Sequence, residues 1–364
     1  MLENGKISTR QFTLMLFSLL LSTIMFGLPR ILIEQSRQDV WQVMLITFVI
    51  DAALAIIYFI LGMRYPRQTM IQYSETILGP WLGKISGLLF VLFFGYMTLI
   101  VLKTVSKFID TVLLTGTPEL AINFILLLTT LYAVNAGLEV VARLSEIIAP
   151  LMLIALLIIL TFSLNRVELG NIQPVFQHNV WELLKSSLLP ISLYGVCITM
   201  GVFIPYHNNP KESLKAKWIA IGSGTILSIM TLMSLIAIFG TSYSSQQVYP
   251  VFRLAQIIKV GDFFERIETV VIIFQIAGAF VSLVILYYSS VLGLAQIFKI
   301  QRYQTLTPYF GVSMLILSVF VFSNIAEMNQ FTETIFPFLA ISIEVFLIIM
   351  LLIVSIIRHG IKKT

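Results

Sequence analysis

The polar residues of this 364-residue chain do not form the groupings that catalysis needs. Its three histidines, His178, His207 and His359, lie far apart and outside the long apolar runs. There is no HExxH, no CxxC, no GxSxG and no glycine-rich loop followed by a Lys-Ser/Thr pair. The single cysteine, Cys197, excludes an intrachain disulfide framework and reads as a small apolar packing residue. These absences point away from an enzyme, a metal centre and a bound cofactor. The chemistry that remains is that of polar groups inside apolar stretches, each costly unless it pairs or lines a cavity.

Two such groups form stripes. Tyr96, Ile100, Lys103, Lys107 and Asp110 recur at helical spacing within one apolar run. Lys107 and Asp110 are placed to pair across one turn. The stripe reads either as a wet vestibule leading to Tyr96 or as lysines snorkelling at a helix end. Glu268, Gln275, Ser282 and Ser289 follow one another at intervals of seven. That face should point into a bundle, as a ligand wall or as polar glue between helices. Asp51 and Glu344 are isolated acids in apolar runs. With no second midplane acid in view, Asp51 predicts a structural partner in preference to a proton relay.

Backbone groups are a further resource. The stretch Ser22-Thr23-Ile24-Met25-Phe26-Gly27-Leu28-Pro29-Arg30 should interrupt its helix, because Gly27 weakens it and Pro29 removes a donor. A second run, 186–206, carries Leu189-Pro190-Ile191-Ser192-Leu193-Tyr194-Gly195, then Gly201 and Pro205. Broken helices at matching places in two halves mark the binding site of many secondary transporters. Exposed N–H and C=O groups and half-helix ends there suit a zwitterion such as an amino acid.

Composition decides what holds these residues. The chain is 58% hydrophobic and only 11% charged, with a formal charge of +5, and its mean hydropathy is +0.95. Soluble domains carry about a quarter charged residues, so this is a polytopic, all-α membrane protein. The first apolar run is too long for a cleavable signal peptide and lacks a small-residue cleavage site. Ten membrane helices are predicted, over 11–33, 40–61, 84–113, 119–136, 144–164, 186–206, 216–241, 265–292, 306–323 and 331–357. Residues 65–83 predict an amphipathic piece at the interface, and 250–258 a short surface helix in an outer loop. With the N-terminus inside, fourteen of the 23 lysines and arginines, Lys217 among them, fall on the cytoplasmic side. Both termini are then cytoplasmic. The ten helices form one polytopic domain with inverted halves, about 1–164 and 165–364, a 5+5 repeat with helices 1 and 6 interrupted. The repeat rests on topology and the two breaks, not on residue similarity between the halves.

Several short motifs have the spacing of a known family. They are Gly27-Leu28-Pro29-Arg30, Gln38-Asp39-Val40-Trp41, Tyr65-Pro66 and Ile77-Leu78-Gly79-Pro80-Trp81-Leu82-Gly83-Lys84. Asn171-Ile172-Gln173-Pro174-Val175 and Phe264-Glu265-Arg266-Ile267-Glu268 follow. Nearly end to end, the chain resembles the B subunits of spore germinant receptors, the endospore germination permeases. These are related to the amino acid–polyamine–organocation transporters of LeuT-type fold. The resemblance implies a nutrient sensor in the spore inner membrane, working with a membrane A subunit and a lipoprotein C subunit. Its ligands would be amino acids, sugars or nucleosides. The family's inferred pocket, between helices 1, 3, 6 and 8, would map onto Gly27, Tyr96, Ile100, Thr104, Tyr194, Gly195, Ser282 and Leu286, with Thr23 beside the first break. Some proton-coupled relatives carry a lysine in helix 5. Here 147–164 has no ionisable residue, which counts against proton coupling by that route. An active transporter of amino acids or similar solutes is the alternative expectation. A structural assembly subunit with a relic pocket is a third.

Overall fold

Gly27 and Pro29 do not fit an unbroken helix, and the backbone parts beside them. The computed structural model describes residues 3, 5–26, 28–258, 267–322 and 324–359; Gly27 lies outside them. Helix α1 (Thr9–Met25) stops at Phe26, whose φ of −105° and ψ of −137° leave the helical region. Helix α2 (Leu28–Ser36) restarts with Pro29 in its first turn, where a missing N–H costs nothing. At the other end of α1, Ser8 and Gln11 close a capping box.

A short 3-10 turn leads from α2 into α3 (Val40–Arg64). The interfacial piece is α4 (Met70–Leu78), and Gly79, with φ at 88°, turns the chain directly into α5 (Pro80–Val112). Helix α5 thus begins four residues before its predicted start, with Pro80 pre-set in the first turn. Then come α6 (Glu119–Asn135), α7 (Leu138–Ser163) and α8 (Val180–Tyr194).

The predicted sixth helix behaves differently from the first. After Tyr194 the chain does not unwind. It tightens into a 3-10 turn over Gly195–Thr199, passes through α9 (Met200–Phe203), and tightens again over Ile204–Tyr206. This segment is almost wholly buried, and i to i+3 bonds keep backbone groups paired where no water is at hand.

The chain continues through α10 (Ser213–Ser244), kinked at Gly240, and α11 (Pro250–Gln256). Helix α11 occurs where a surface helix was expected, but it is embedded: Val251, Leu254 and Ala255 are fully buried. Next are α12 (Ile267–Ile297) and α13 (Thr307–Phe320). The predicted tenth helix is not one rod. It divides into α14 (Ile325–Thr334), α15 (Phe336–Ile341), a π turn over Ser342–Leu347, and α16 (Ile348–His359). Pro337 at the start of α15 accounts for the first division.

Among the described residues, seven helical stretches are long and apolar enough to cross a membrane, and α6 is a shorter apolar helix. Large apolar side chains such as Val49, Ile125 and Phe320 face outward, as a lipid-facing belt requires. Helix α1 is central: it packs against α7, α10 and α12, while α3 lies between α8 and α10 and α5 lies along α12 and α4.

The segment before α1 straps one end of this bundle. Ile7 N–H donates to Tyr206 O at 3.0 Å and Asn208 N–H to Ile7 O at 2.9 Å. Glu3 accepts from the Tyr288 hydroxyl at 2.9 Å and the Tyr303 hydroxyl at 3.1 Å. Burial raises the Glu3 pKa, but these bonds, with N–H donors from Gly5 and Leu138, outweigh it and hold the carboxyl below its usual range. His207 is buried beneath the strap, stacked on Phe12 with ring centroids 5.0 Å apart. Its Nδ1 lies 3.1 Å from Ser213 Oγ and its Nε2 3.2 Å from Thr9 Oγ1. Burial pushes the imidazole below its ordinary value, with partial opposition from the Glu212 charge.

A histidine depressed in the folded state leaves the native protein with fewer bound protons than the unfolded chain. Its stabilisation is complete above the unfolded value of about 6.5 and is lost as pH falls through the folded value. Thermal unfolding in detergent should therefore show a melting temperature that drops between about pH 7.5 and 5.5. His207→Gln should flatten that drop. A pH-independent wild-type melt would contradict the strap's dependence on a neutral imidazole.

Candidate ligand cavity at the helix break

A cavity of about 490 Å³ opens where α1 gives way to α2. The break itself supplies one wall, with Ser22, Thr23 and Phe26. Helix α5 supplies the facing wall through Ile100 and Thr104, which are four apart and so share a helix face. Helix α14 closes the side with Met328 and Glu333. The lining is mostly apolar with a few hydroxyls and amides, as in sites that bury small organic ligands.

One ion pair stands at this cavity. Arg30 Nη2 lies 3.4 Å from Glu333 Oε1, joining α2 to α14 across 303 residues of sequence, and both side chains are about a quarter exposed. The cavity therefore offers both signs of charge beside an apolar interior. That arrangement can orient a small dipolar molecule.

The predicted site residues separate into groups. Thr23, Ile100 and Thr104 line this cavity. Ser282 stands directly behind it: its Oγ lies 2.7 Å from that of Ser22 and donates to Ser18 O at 3.3 Å. Tyr96 is not part of the lining; its ring stacks on Phe336 with centroids 4.9 Å apart. Tyr194 also lies outside the lining, fully buried, with its hydroxyl 2.5 Å from Ser228 Oγ. Leu286 is buried away from the lining. Gly195 faces the Glu344 carboxyl instead. Gly27 lies outside the described residues.

The α5 stripe splits in function. Lys107 pairs with Asp110 at 2.7 Å, as its spacing predicts. Lys103, by contrast, is buried and caps α13. Its Nζ donates to Ser318 O at 2.8 Å and Phe322 O at 3.2 Å, groups a helix end leaves without intrahelical partners. It does not line a vestibule. In the α12 stripe, Ser289 turns back to Ile285 O at 2.8 Å, the behaviour of a packing hydroxyl.

Sequence reasoning missed Arg30 and Glu333 as a pair. The available signal was a charged residue directly after the break, matched by the polar start of the last predicted helix. Lys217, inside the predicted span 216–241, was counted only for its charge. In α10 it is fully buried, and its Nζ lies 2.8 Å from Asp51 Oδ1. Asp51 thus has the structural partner its isolation demanded.

The model for a family described as spore germination protein matches residues 6–326. The chain belongs to this family. The spore germination protein YndE of Bacillus subtilis (strain 168) is 29% identical to it over 299 residues, which is 81% of this chain and 82% of that one. Spore germination protein KB of the same organism is 24% identical over 330 residues, or 90% of this chain and 88% of that one. Solved structures share the fold of this spore germination protein. Mhp1, a nucleobase-cation-symport-1 family transporter in a closed, bromovinylhydantoin-bound state, aligns over 99% of this chain and 80% of its own, with TM-score 0.71 and 13% identity. MhsT in complex with L-phenylalanine aligns over 97% and 89%, with TM-score 0.66 and 17% identity. At such identities the likeness establishes the LeuT-type transporter fold and leaves the ligand open. Apolar helices and family together make the chain an integral membrane protein.

Proposed function

We propose that this chain is the nutrient-sensing membrane subunit of a spore germinant receptor. A small nutrient such as an amino acid settles in the cavity between the α1–α2 break, α5 and α14. The observation that carries this reading is the cavity itself: about 490 Å³, apolar within, with Thr23, Ile100 and Thr104 on its walls and Arg30 paired to Glu333 beside them. A carboxylate fits the Arg30 side, an ammonium fits Glu333, and the apolar wall takes a side chain. Ser282 supports the wall through Ser22. Tyr96, Tyr194, Gly195 and Leu286 belong to the proposed site as a frame around the cavity, and Gly27, which lies outside the described residues, belongs to it by its place in the sequence between α1 and α2. Binding favours one packing of the broken helix against the bundle, and only differential affinity for two packings lets a ligand do this.

The finer architecture belongs to the same reading. The chain forms a single polytopic domain of ten membrane helices in a 5+5 inverted repeat, with halves near 1–164 and 165–364 and both termini cytoplasmic. It is not an enzyme and needs no cofactor. It sits in the spore inner membrane beside a membrane A subunit and a lipoprotein C subunit, which read its conformation.

Spores of a deletion strain complemented with this chain test the site against a panel of nutrients. Thr104→Phe fills the cavity and should raise the half-maximal nutrient concentration more than about tenfold, the equivalent of about 1.4 kcal/mol, with unchanged membrane levels. An unaltered nutrient response in those spores would remove the cavity from consideration. The likeness to Mhp1, a nucleobase-cation-symport-1 family transporter, favours one second reading, an active permease of amino acids or similar solutes. Uptake of labelled solute into proteoliposomes that collapses with an ionophore would select it.

A further inference from the structure

Beyond the ligand cavity, the bundle buries a second set of charges. Asp51 on α3 and Lys217 on α10 pair at 2.8 Å, with side chains 3% and 0% exposed. The second Asp51 oxygen, Oδ2, has no hydrogen-bond partner among the described residues. Glu344 is fully buried, and neither of its carboxyl oxygens has a partner there. Tyr58 links the two groups: Lys217 Nζ sits 5.0 Å from its ring centroid, and its hydroxyl donates to Glu344 O at 2.6 Å. Asp51 and Lys217 are both within electrostatic reach of the Glu344 carboxyl.

The local backbone is unusual on both sides of Glu344. Glu344 lies within the π turn Ser342–Leu347, a form that recurs at functional sites. Its carboxyl rests on Gly195, the residue at which α8 tightens into a 3-10 turn. A side-chain carbon at 195 would fall 1.8 Å from Glu344 Oε2. The carboxyl therefore fills the space that glycine leaves.

Charge decides what this site holds. Two carboxyls face one ammonium. A second ionised carboxylate, buried without a partner, would cost several kcal/mol. Lys217 is committed to Asp51 by direct contact, so Glu344 is the group left without a counter-charge. The other titratable groups nearby are Tyr58 on α3 and Cys197 and Tyr194 beside Gly195, with Tyr96 of α5 stacked on Phe336 further along the same element. None of these is a cation.

We propose that Glu344 is the binding site for one proton, held at the contact between the π turn and Gly195. The proton comes from water and returns to it; the bond made and broken is the carboxyl O–H. Ionising Glu344 in place would set a bare carboxylate against backbone, so the proton leaves only when the π turn and the Gly195 turn separate and admit water. Proton occupancy is thereby tied to the packing of α8 against α15. The site stands whether or not the neighbouring cavity takes a nutrient.

Infrared spectroscopy of the purified, reconstituted full chain tests this without any ligand. A protonated-carboxyl C=O band is expected at neutral pH. Glu344→Gln, the uncharged isostere, should remove one carboxyl's worth of that band. Asp51→Asn should remove it too, because Lys217 then needs Glu344 as its counter-charge. A wild-type spectrum without the band overturns the site, so the test survives a variant that fails to fold. A band undiminished in folded Glu344→Gln overturns the assignment to Glu344. Persistence in folded Asp51→Asn overturns the shared charge.

Discussion

Lys217→Ala is expected to cost about 3–5 kcal/mol of folding stability, the range for a buried ion pair that loses one member. The pair itself need not contribute much, because desolvating both charges offsets their attraction. The cost arises from what is left behind. Asp51 has one oxygen on Lys217 at 2.8 Å and the other without a partner. Without the ammonium, Asp51 and Glu344 would both be buried with no cation near them among the described residues. The readout is thermal unfolding of the detergent-solubilised protein, together with its yield in the membrane fraction. Lys217→Met combined with Asp51→Asn should recover most of the loss, since it replaces both charges with neutral groups of similar shape. An unshifted melting temperature in Lys217→Ala would mean that water reaches Asp51 and the pair is not dry.

Gly195→Ala should produce the other large effect. Its added carbon would lie 1.8 Å from Glu344 Oε2, 1.9 Å from the carboxyl carbon and 2.0 Å from Oε1, well inside any real contact. Overpacking a core typically costs about 1–3 kcal/mol. The upper end is expected here, because the displaced carboxyl is polar and fully buried. The diagnostic is rescue. Glu344→Ala removes every atom in that clash, so it should be less harmful in the Gly195→Ala background than in wild type, with a coupling of about 1 kcal/mol or more. Simple additivity of the two melting shifts would show that Gly195 is needed for its backbone and not for the contact.

The two breaks show how far local chemistry carried. At Gly27-Leu28-Pro29 the interruption was legible, because glycine and proline act on the backbone within a turn of themselves. At Pro190 and Gly195 the same logic predicted unwinding, but the buried backbone tightened to keep its hydrogen bonds. The α5 stripe tells a similar story. Helical spacing placed Ile100 and Thr104 on one face, and both line the cavity. It placed Lys103 beside them, yet that ammonium turns to the carbonyl end of α13. Periodicity identifies a face, not the neighbour that face will meet.

By itself the sequence determined the membrane setting, most of the helices, the first break and the family. Hydropathy, propensity and motif are properties of neighbouring residues, and each can be read within a few turns. Only the tertiary structure decided which distant polar groups meet. Arg30 and Glu333 are 303 residues apart, and Asp51 and Lys217 are 166 apart. Glu344, isolated in sequence, is pressed against Gly195. In an apolar bundle each buried charge requires a counter-charge or a proton, and which one it finds depends on how the helices pack.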